Sequence, residues 1–189
     1  MKKHDLKVSR KAELHKSQPF DFCQTPGYAL DPLWEHLDFY GTVWEPACGE
    51  GSLVRRFQEK GVEVVGSDVL DGHNFFTWQP DRWDVIVTNP PYTAKFEWLS
   101  HCYYLKKPFA LLLPVETLGA FKAQRLFIQY GLELILVNRR INFKMPNKGW
   151  DGAGAWFPVA WFTHGLNVGQ PITYANIVAR PDSQMEMGL

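Results

Sequence analysis

Apolar residues in this chain follow two alternating rhythms. Residues 84–88, 109–113 and 132–137 hold short, nearly unbroken apolar runs, as expected of strands covered on both faces, and 42–45 and the valine-rich 62–68 read as further strands. Between them, apolar residues recur three and four apart, as in Leu33, Leu37 and Tyr40, or Leu53, Val54 and Phe57. Phe96, Leu99 and Tyr103 repeat that spacing, as do Ala123, Leu126, Phe127 and Tyr130, and each set predicts an amphipathic helix. Asp31 before Pro32 predicts a helix start running to about Gly41, while Gly61 and Gly131 predict helix ends. Residues 20–27 read as irregular around the Pro26-Gly27 turn, and 71–81 as a loop in which Asn74-Phe75-Phe76 forms a short strand edge.

The alternation stops after residue 137. Residues 138–154 contain Pro146, Gly149, Gly152 and Gly154 and have no helical period, yet the apolar run 156–163 follows. Parallel neighbours need a crossover element, usually a helix, and antiparallel neighbours do not. The last major strand is therefore expected to be antiparallel within an otherwise parallel α/β sheet, with 172–178 adding a closing edge strand.

One strand end stands out chemically. The run Asp84-Val85-Ile86-Val87-Thr88 stops at Asn89-Pro90-Pro91-Tyr92, where two prolines forbid further ladder bonds. Ligands of open α/β sheets sit at the carboxyl ends of strands, so the Asn89 carboxamide is held where a ligand would be. Its acceptor and the Pro90 carbonyl could grip an amino group, and Tyr92 offers a flat face beside it. Such a site suits an amine attached to a planar ring.

A second constellation is Glu45-Pro46-Ala47-Cys48-Gly49-Glu50-Gly51, between a strand and a helix. Glycines there let the backbone approach a ligand, and the following helix N-terminus favours a negative group. Asp68 ends the next strand about twenty residues on, a spacing that suits a carboxylate meeting ribose hydroxyls. No lysine-bearing phosphate loop is present, which argues against a nucleoside triphosphate.

Composition narrows the classes. With 189 residues, 46% of them hydrophobic, the chain supports one sizeable core. Its formal net charge is +0, so the whole surface is no glove for nucleic acid. Residues 1–16 are locally basic, with Lys2, Lys3, Lys7, Arg10, Lys11 and Lys16 against Asp5 and Glu13, and read as a solvated terminus. Cys23, Cys48 and Cys102 are too widely spaced for a disulfide framework or a zinc site, His73 and His101 lack partners at metal spacing, and no metal is expected. A cytoplasmic setting fits the thiols, and no run reaches membrane length. Nothing in the pattern fixes an oligomeric state.

Together, the glycine loop, Ser67-Asp68 and the Asn-Pro-Pro-Tyr end resemble the S-adenosylmethionine-dependent amino-methyltransferases, particularly the N6-adenine DNA methyltransferases. Gln24-Thr25-Pro26 is similar to that family's N-terminal cofactor-binding segment. Arg139 to Phe143, Gly149 to Gly152 and Ala160 to Phe162 resemble small phage and prophage members that lack a target-recognition domain. The resemblance covers roughly residues 23–178. It implies a Rossmann-like, seven-stranded, mostly parallel sheet with the last strand antiparallel and helices on both faces. It divides the chain into a basic flexible tail (1–19), one catalytic domain (20–180) and a flexible C-terminal tail (181–189).

The implied cofactor is S-adenosyl-L-methionine. Glu45, Pro46, Ala47, Gly49 and Gly51 would line its methionine portion and Asp68 its ribose, with Thr25 and Pro26 closing over the amino-acid end. Asn74, or else Asp71, takes the position that meets the cofactor's adenine amine, and Asn89 borders both ligands. Asn89, Pro90, Pro91 and Tyr92 would carry the chemistry, with Tyr92 stacking on the target base. Phe143 either closes the base's other face or is a core aromatic. Arg139 and Arg140 read as solvated surface, and the Trp150-Asp151-Gly152 loop as a gate or a turn. The implied partner is nucleic acid, chiefly DNA. Other readings are an RNA-base or protein-glutamine methyltransferase, or a non-catalytic subunit of a modification complex.

Overall fold

The computed structural model describes residues 21, 23–37, 41–145 and 157–177. The expectations for both tails and for the Trp150 loop lie outside those residues. A 3-10 turn, Gly27–Leu33, runs into helix α1 (Trp34–Leu37), followed by β1 (Val43–Glu45), α2 (Ser52–Glu59) and β2 (Val64–Gly66). Next come β3 (Val85–Thr88), α3 (Lys95–Leu105), β4 (Phe109–Pro114), α4 (Phe121–Tyr130), β5 (Glu133–Val137), β6 (Val159–His164) and β7 (Ile172–Ala175). The helical start differs from expectation. Asp31 lies inside the turn instead of capping it, because its carboxylate accepts from Trp34 Nε1 (3.3 Å) and pairs with Arg56 (3.2 Å).

The seven strands form one sheet in the order β2-β1-β3-β4-β6-β5-β7. Four of its six pairings are parallel, β1 with β2 and β3, β3 with β4, and β5 with β7, while β6 runs antiparallel between β4 and β5. The antiparallel strand is thus the last major one, as its sequence context required, and the short β7 closes the edge. The fold is a Rossmann-like α/β sheet. The expected strand edge at Asn74-Phe75-Phe76 is a turn, closed by Asn74 Oδ1 accepting from Phe76 N–H (2.9 Å).

Period-2 alternation splits the strands between two cores. Val85, Val87, Ala110, Leu112 and Trp161 face one side, where the 3-10 turn, α1 and α2 contribute Leu30, Leu33, Leu37, Leu53 and Phe57. Ile86, Phe109, Leu111, Leu113 and Phe162 face the other, against Leu99, Cys102 and Ala123 of α3 and α4. Helices therefore cover both faces, which is why these strands read as continuous apolar runs. Each fully buried aromatic, Phe57 among them, contributes about 1.5–3 kcal/mol relative to exposure. From β1 the chain winds first to β2 and then returns across β1 to β3, leaving a crevice at the carboxyl ends of β1 and β3.

Candidate active site

That crevice holds Glu45, the last residue of β1, beside Thr88, the last of β3. Glu45 is 1% exposed. Its Oε1 accepts from Thr88 Oγ1 (2.5 Å) and from Ala47 N–H (3.2 Å). Burial pushes its carboxyl up to about 8, with the Asp68 charge adding to the rise and the two hydrogen bonds opposing it. At neutral pH Glu45 is therefore mostly a neutral acid. A cation placed beside it would draw the proton off.

Pro46, itself buried, begins the turn that leads to α2. The turn is fastened by Cys48 N–H to Ser67 O (3.0 Å) and Gly51 N–H to Cys48 O (2.7 Å). Gly49 has φ +53° and Gly51 +79°, left-handed values that cost other residues about 1–2 kcal/mol each. Asp68 ties this turn to the end of β2. One carboxylate oxygen accepts from Gly49 N–H (3.0 Å) and the other from Leu70 N–H (2.9 Å). Each oxygen keeps an acceptor position free, so a ribose contact stays open to it.

Asn89 follows β3 directly. Its Oδ1 is buried and has no hydrogen-bond partner among the described residues, a deficit of about 1–3 kcal/mol for a polar atom left so. It lines a recess of about 20 Å³ together with Thr25, Glu45 and Ala47, all expected at the site. Pro26 begins the 3-10 turn from which Thr25 hangs, and Pro90 is buried behind Asn89. Pro91 leads into the single turn carrying Tyr92. The Tyr92 ring meets Phe157 edge to face (centroids 5.8 Å apart), and burial raises its phenol. Asp21 accepts from the Thr93 N–H and hydroxyl, which pins the N-terminal segment to this strand end.

Gln24 and Cys48, which belong to the two segments singled out in the sequence without a role of their own, also line the recess, as do Cys23, Ser52 and Leu53, which were not expected to. Burial pushes the Cys48 thiol up to about 12, aided by the Glu45 charge, and Cys23 to about 11, aided by Asp21. Gln24 explains why the recess is so small. Its Oε1 accepts from Glu50 N–H (2.9 Å), and its backbone exchanges two hydrogen bonds with Lys144 (2.9 and 3.0 Å). Lys144 in turn pairs with Glu50 at 3.1 Å. The carboxamide lies across the glycine turn so closely that a Cβ on Gly49 would stand 2.3 Å from its Nε2. Its place in the Gln24-Thr25-Pro26 segment was the only available signal, since no spacing rule marks a side chain that folds over a distant turn.

Two expected contacts do not assemble here. Asn74 spends its carboxamide oxygen on Phe76 N–H and does not line the recess, and Asp71 is exposed. Phe143 is 7% exposed within the core that holds Leu30 and Ile141, so packing has claimed the ring that was weighed for base stacking. Arg139 and Arg140 are exposed, as expected of solvated surface. Among the described residues no histidine, cysteine and carboxylate group could hold a metal, and no helix is long and apolar enough to cross a membrane.

The donors and acceptors fit an adenosyl sulfonium: an orphaned carboxamide oxygen, a buried acid able to ionise, and a glycine turn opening a helix. The free volume fits a single water, so a nucleoside-sized ligand requires Gln24 to swing away.

No protein-family model and no curated protein matches the chain. Among solved structures it is similar to the methyltransferase subunit of a type I restriction-modification system from Streptococcus thermophilus, with TM-score 0.49 and 15% identity. That match covers 90% of this chain and 51% of the other. A dimethyladenosine transferase from Plasmodium falciparum gives TM-score 0.43 and 17% identity over 75% of this chain and 62% of its own. The chain therefore spans only part of either protein, and at these values the likeness concerns the path of the chain.

Proposed function

We propose that this chain is an S-adenosyl-L-methionine-dependent amino-methyltransferase acting on N6 of adenine in DNA. The observation that carries the reading is the buried, unpartnered Asn89 Oδ1 at the crevice between β1 and β3. A bound S-adenosyl-L-methionine supplies an electrophilic methyl group on a sulfonium. Glu45, Pro46, Ala47, Gly49, Gly51 and Asp68 would hold it, with Thr25 and Pro26 at its amino-acid end. A cation beside Glu45 lowers that acid's pKa again, so the residue ionises as the ligand arrives.

At the acceptor, Asn89 Oδ1 takes one amine proton in a hydrogen bond and the Pro90 carbonyl takes the other. Held in this way, the nitrogen withdraws its lone pair from the ring, and the positive charge it develops meets two oxygen dipoles. No carboxylate base is required before attack: the methyl group would exchange its bond to sulfur for one to nitrogen, and the proton then leaves the methylated amine for water. Asn89 meets that need where an Asp would not be required. Reaching the amine in a duplex means turning the base out of the stack, and Tyr92 offers it a ring.

The test is parallel transfer of labelled methyl from the cofactor to DNA, RNA and protein, with digestion to identify the modified group. N6-methyladenine from DNA is expected; label in RNA or in glutamine side chains instead would replace the acceptor. Asn89→Ala should abolish transfer with little change in cofactor Kd by calorimetry. An equal loss of cofactor binding would remove Asn89 from the amine grip.

A further inference from the structure

Helix α4 carries large apolar residues on its solvent side as well as on its core side. Ala123, Leu126 and Phe127 turn toward the sheet, as the spacing predicts. Phe121, Arg125 and Ile128, at i, i+4 and i+7, form a stripe on the far side, where Phe121 is 74% and Ile128 86% exposed. Two large apolar side chains exposed one on either side of Arg125 are unusual on a solvent face, and among the described residues nothing covers them. Beside the stripe runs a groove of about 670 Å³ between α3 and α4. Its α3 wall carries Glu97 and the 75% exposed Tyr104, and its α4 wall carries Lys122 and Arg125. None of these three charges forms an ion pair with a described residue.

We infer that this face binds a second copy of the same chain in a two-fold pair. Such a contact must be self-complementary, because whatever one copy presents the other presents too. This patch carries both halves of the match. Exposed Phe121 and Ile128 lie beside a groove of mixed aromatic and polar lining, and a carboxylate on α3 is matched by two cations on α4. A two-fold axis that sets α3 of each copy against α4 of the other seats both stripes and pairs Glu97 with Lys122 and Arg125 twice. A polyanion would find Glu97 in its path, and a purely cationic groove is not what the helices present. The inference is independent of the proposed chemistry, since none of these residues lines the recess at Asn89.

Sedimentation equilibrium of the full chain tests it, with circular dichroism melting to show that each variant is folded. The wild type should sediment at twice 21.8 kDa at micromolar concentration. Ile128→Glu, at a solvent-facing position, should sediment as a monomer that still melts cooperatively, at a temperature no longer dependent on concentration. Glu97→Lys alone, and Lys122→Glu with Arg125→Glu, should each be monomeric, because like charges then face one another. Mixed together, those two variants should pair, since each supplies the charge the other lacks. A monomeric wild type, a dimer indifferent to Ile128→Glu, or a mixture that fails to pair would overturn the inference. So would a monomer whose binding to an oligonucleotide is lost on Lys122→Glu, which would give the groove to nucleic acid.

Discussion

Replacing Glu45 by Gln should convert a buried pH-dependent liability into a neutral contact. Gln keeps an oxygen to accept from Thr88 Oγ1 and Ala47 N–H, the two donors that hold Glu45 in place. What it removes is the titration. In the unfolded chain the carboxyl ionises near its ordinary 4.5, whereas in the fold it keeps its proton to about 8. Between those values the folded state binds more protons than the unfolded one, so its stability is whole below 4.5 and falls as pH rises. The slope is about 1.4 kcal/mol per pH unit and the full displacement about 5 kcal/mol, which water drawn in beside the ionised group would reduce to a few.

Urea unfolding of both proteins from about pH 5 to about pH 9 measures this directly, because titrations common to the two cancel in the difference. Glu45→Gln should gain on the wild type steadily through that window and level off above it. A difference that does not change with pH would show that Glu45 does not hold its proton in the fold, and a variant weaker at the alkaline end would show that the ionised form is held by something else.

Gln24→Ala should unplug the glycine turn; losing one exposed hydrogen bond of about 0.5–1.5 kcal/mol should tighten S-adenosylmethionine binding about two- to tenfold by calorimetry. Weaker binding would make Gln24 a ligand contact instead. Asp68→Asn leaves either Gly49 N–H or Leu70 N–H facing an amide nitrogen and should cost about 1–3 kcal/mol in urea unfolding. An unchanged unfolding midpoint would mean that the carboxylate does not fasten the turn.

Local pattern alone determined much of this protein. Two-sided burial wrote β3 and β4 as unbroken apolar runs, and the aperiodic stretch before residue 156 required β6 to turn antiparallel. The prolines after Asn89 put a carboxamide at a strand end, and the glycines at 49 and 51 marked a left-handed turn, because those residue types act through their own backbone. Only the tertiary structure decided what distant side chains do to one another. Phe143 became core because the surrounding apolar residues closed around it, and Asn74 turned its oxygen inward to its own loop. Glu45 holds its proton because burial in the crevice keeps water from it, and this outweighs the hydrogen bond from Thr88, forty-three residues away, which favours the ionised form. Gln24 plugs the recess because Lys144 draws its strand across the glycine turn. Periodicity records which face of an element is buried; which groups meet there depends on chain crossings that no local spacing encodes.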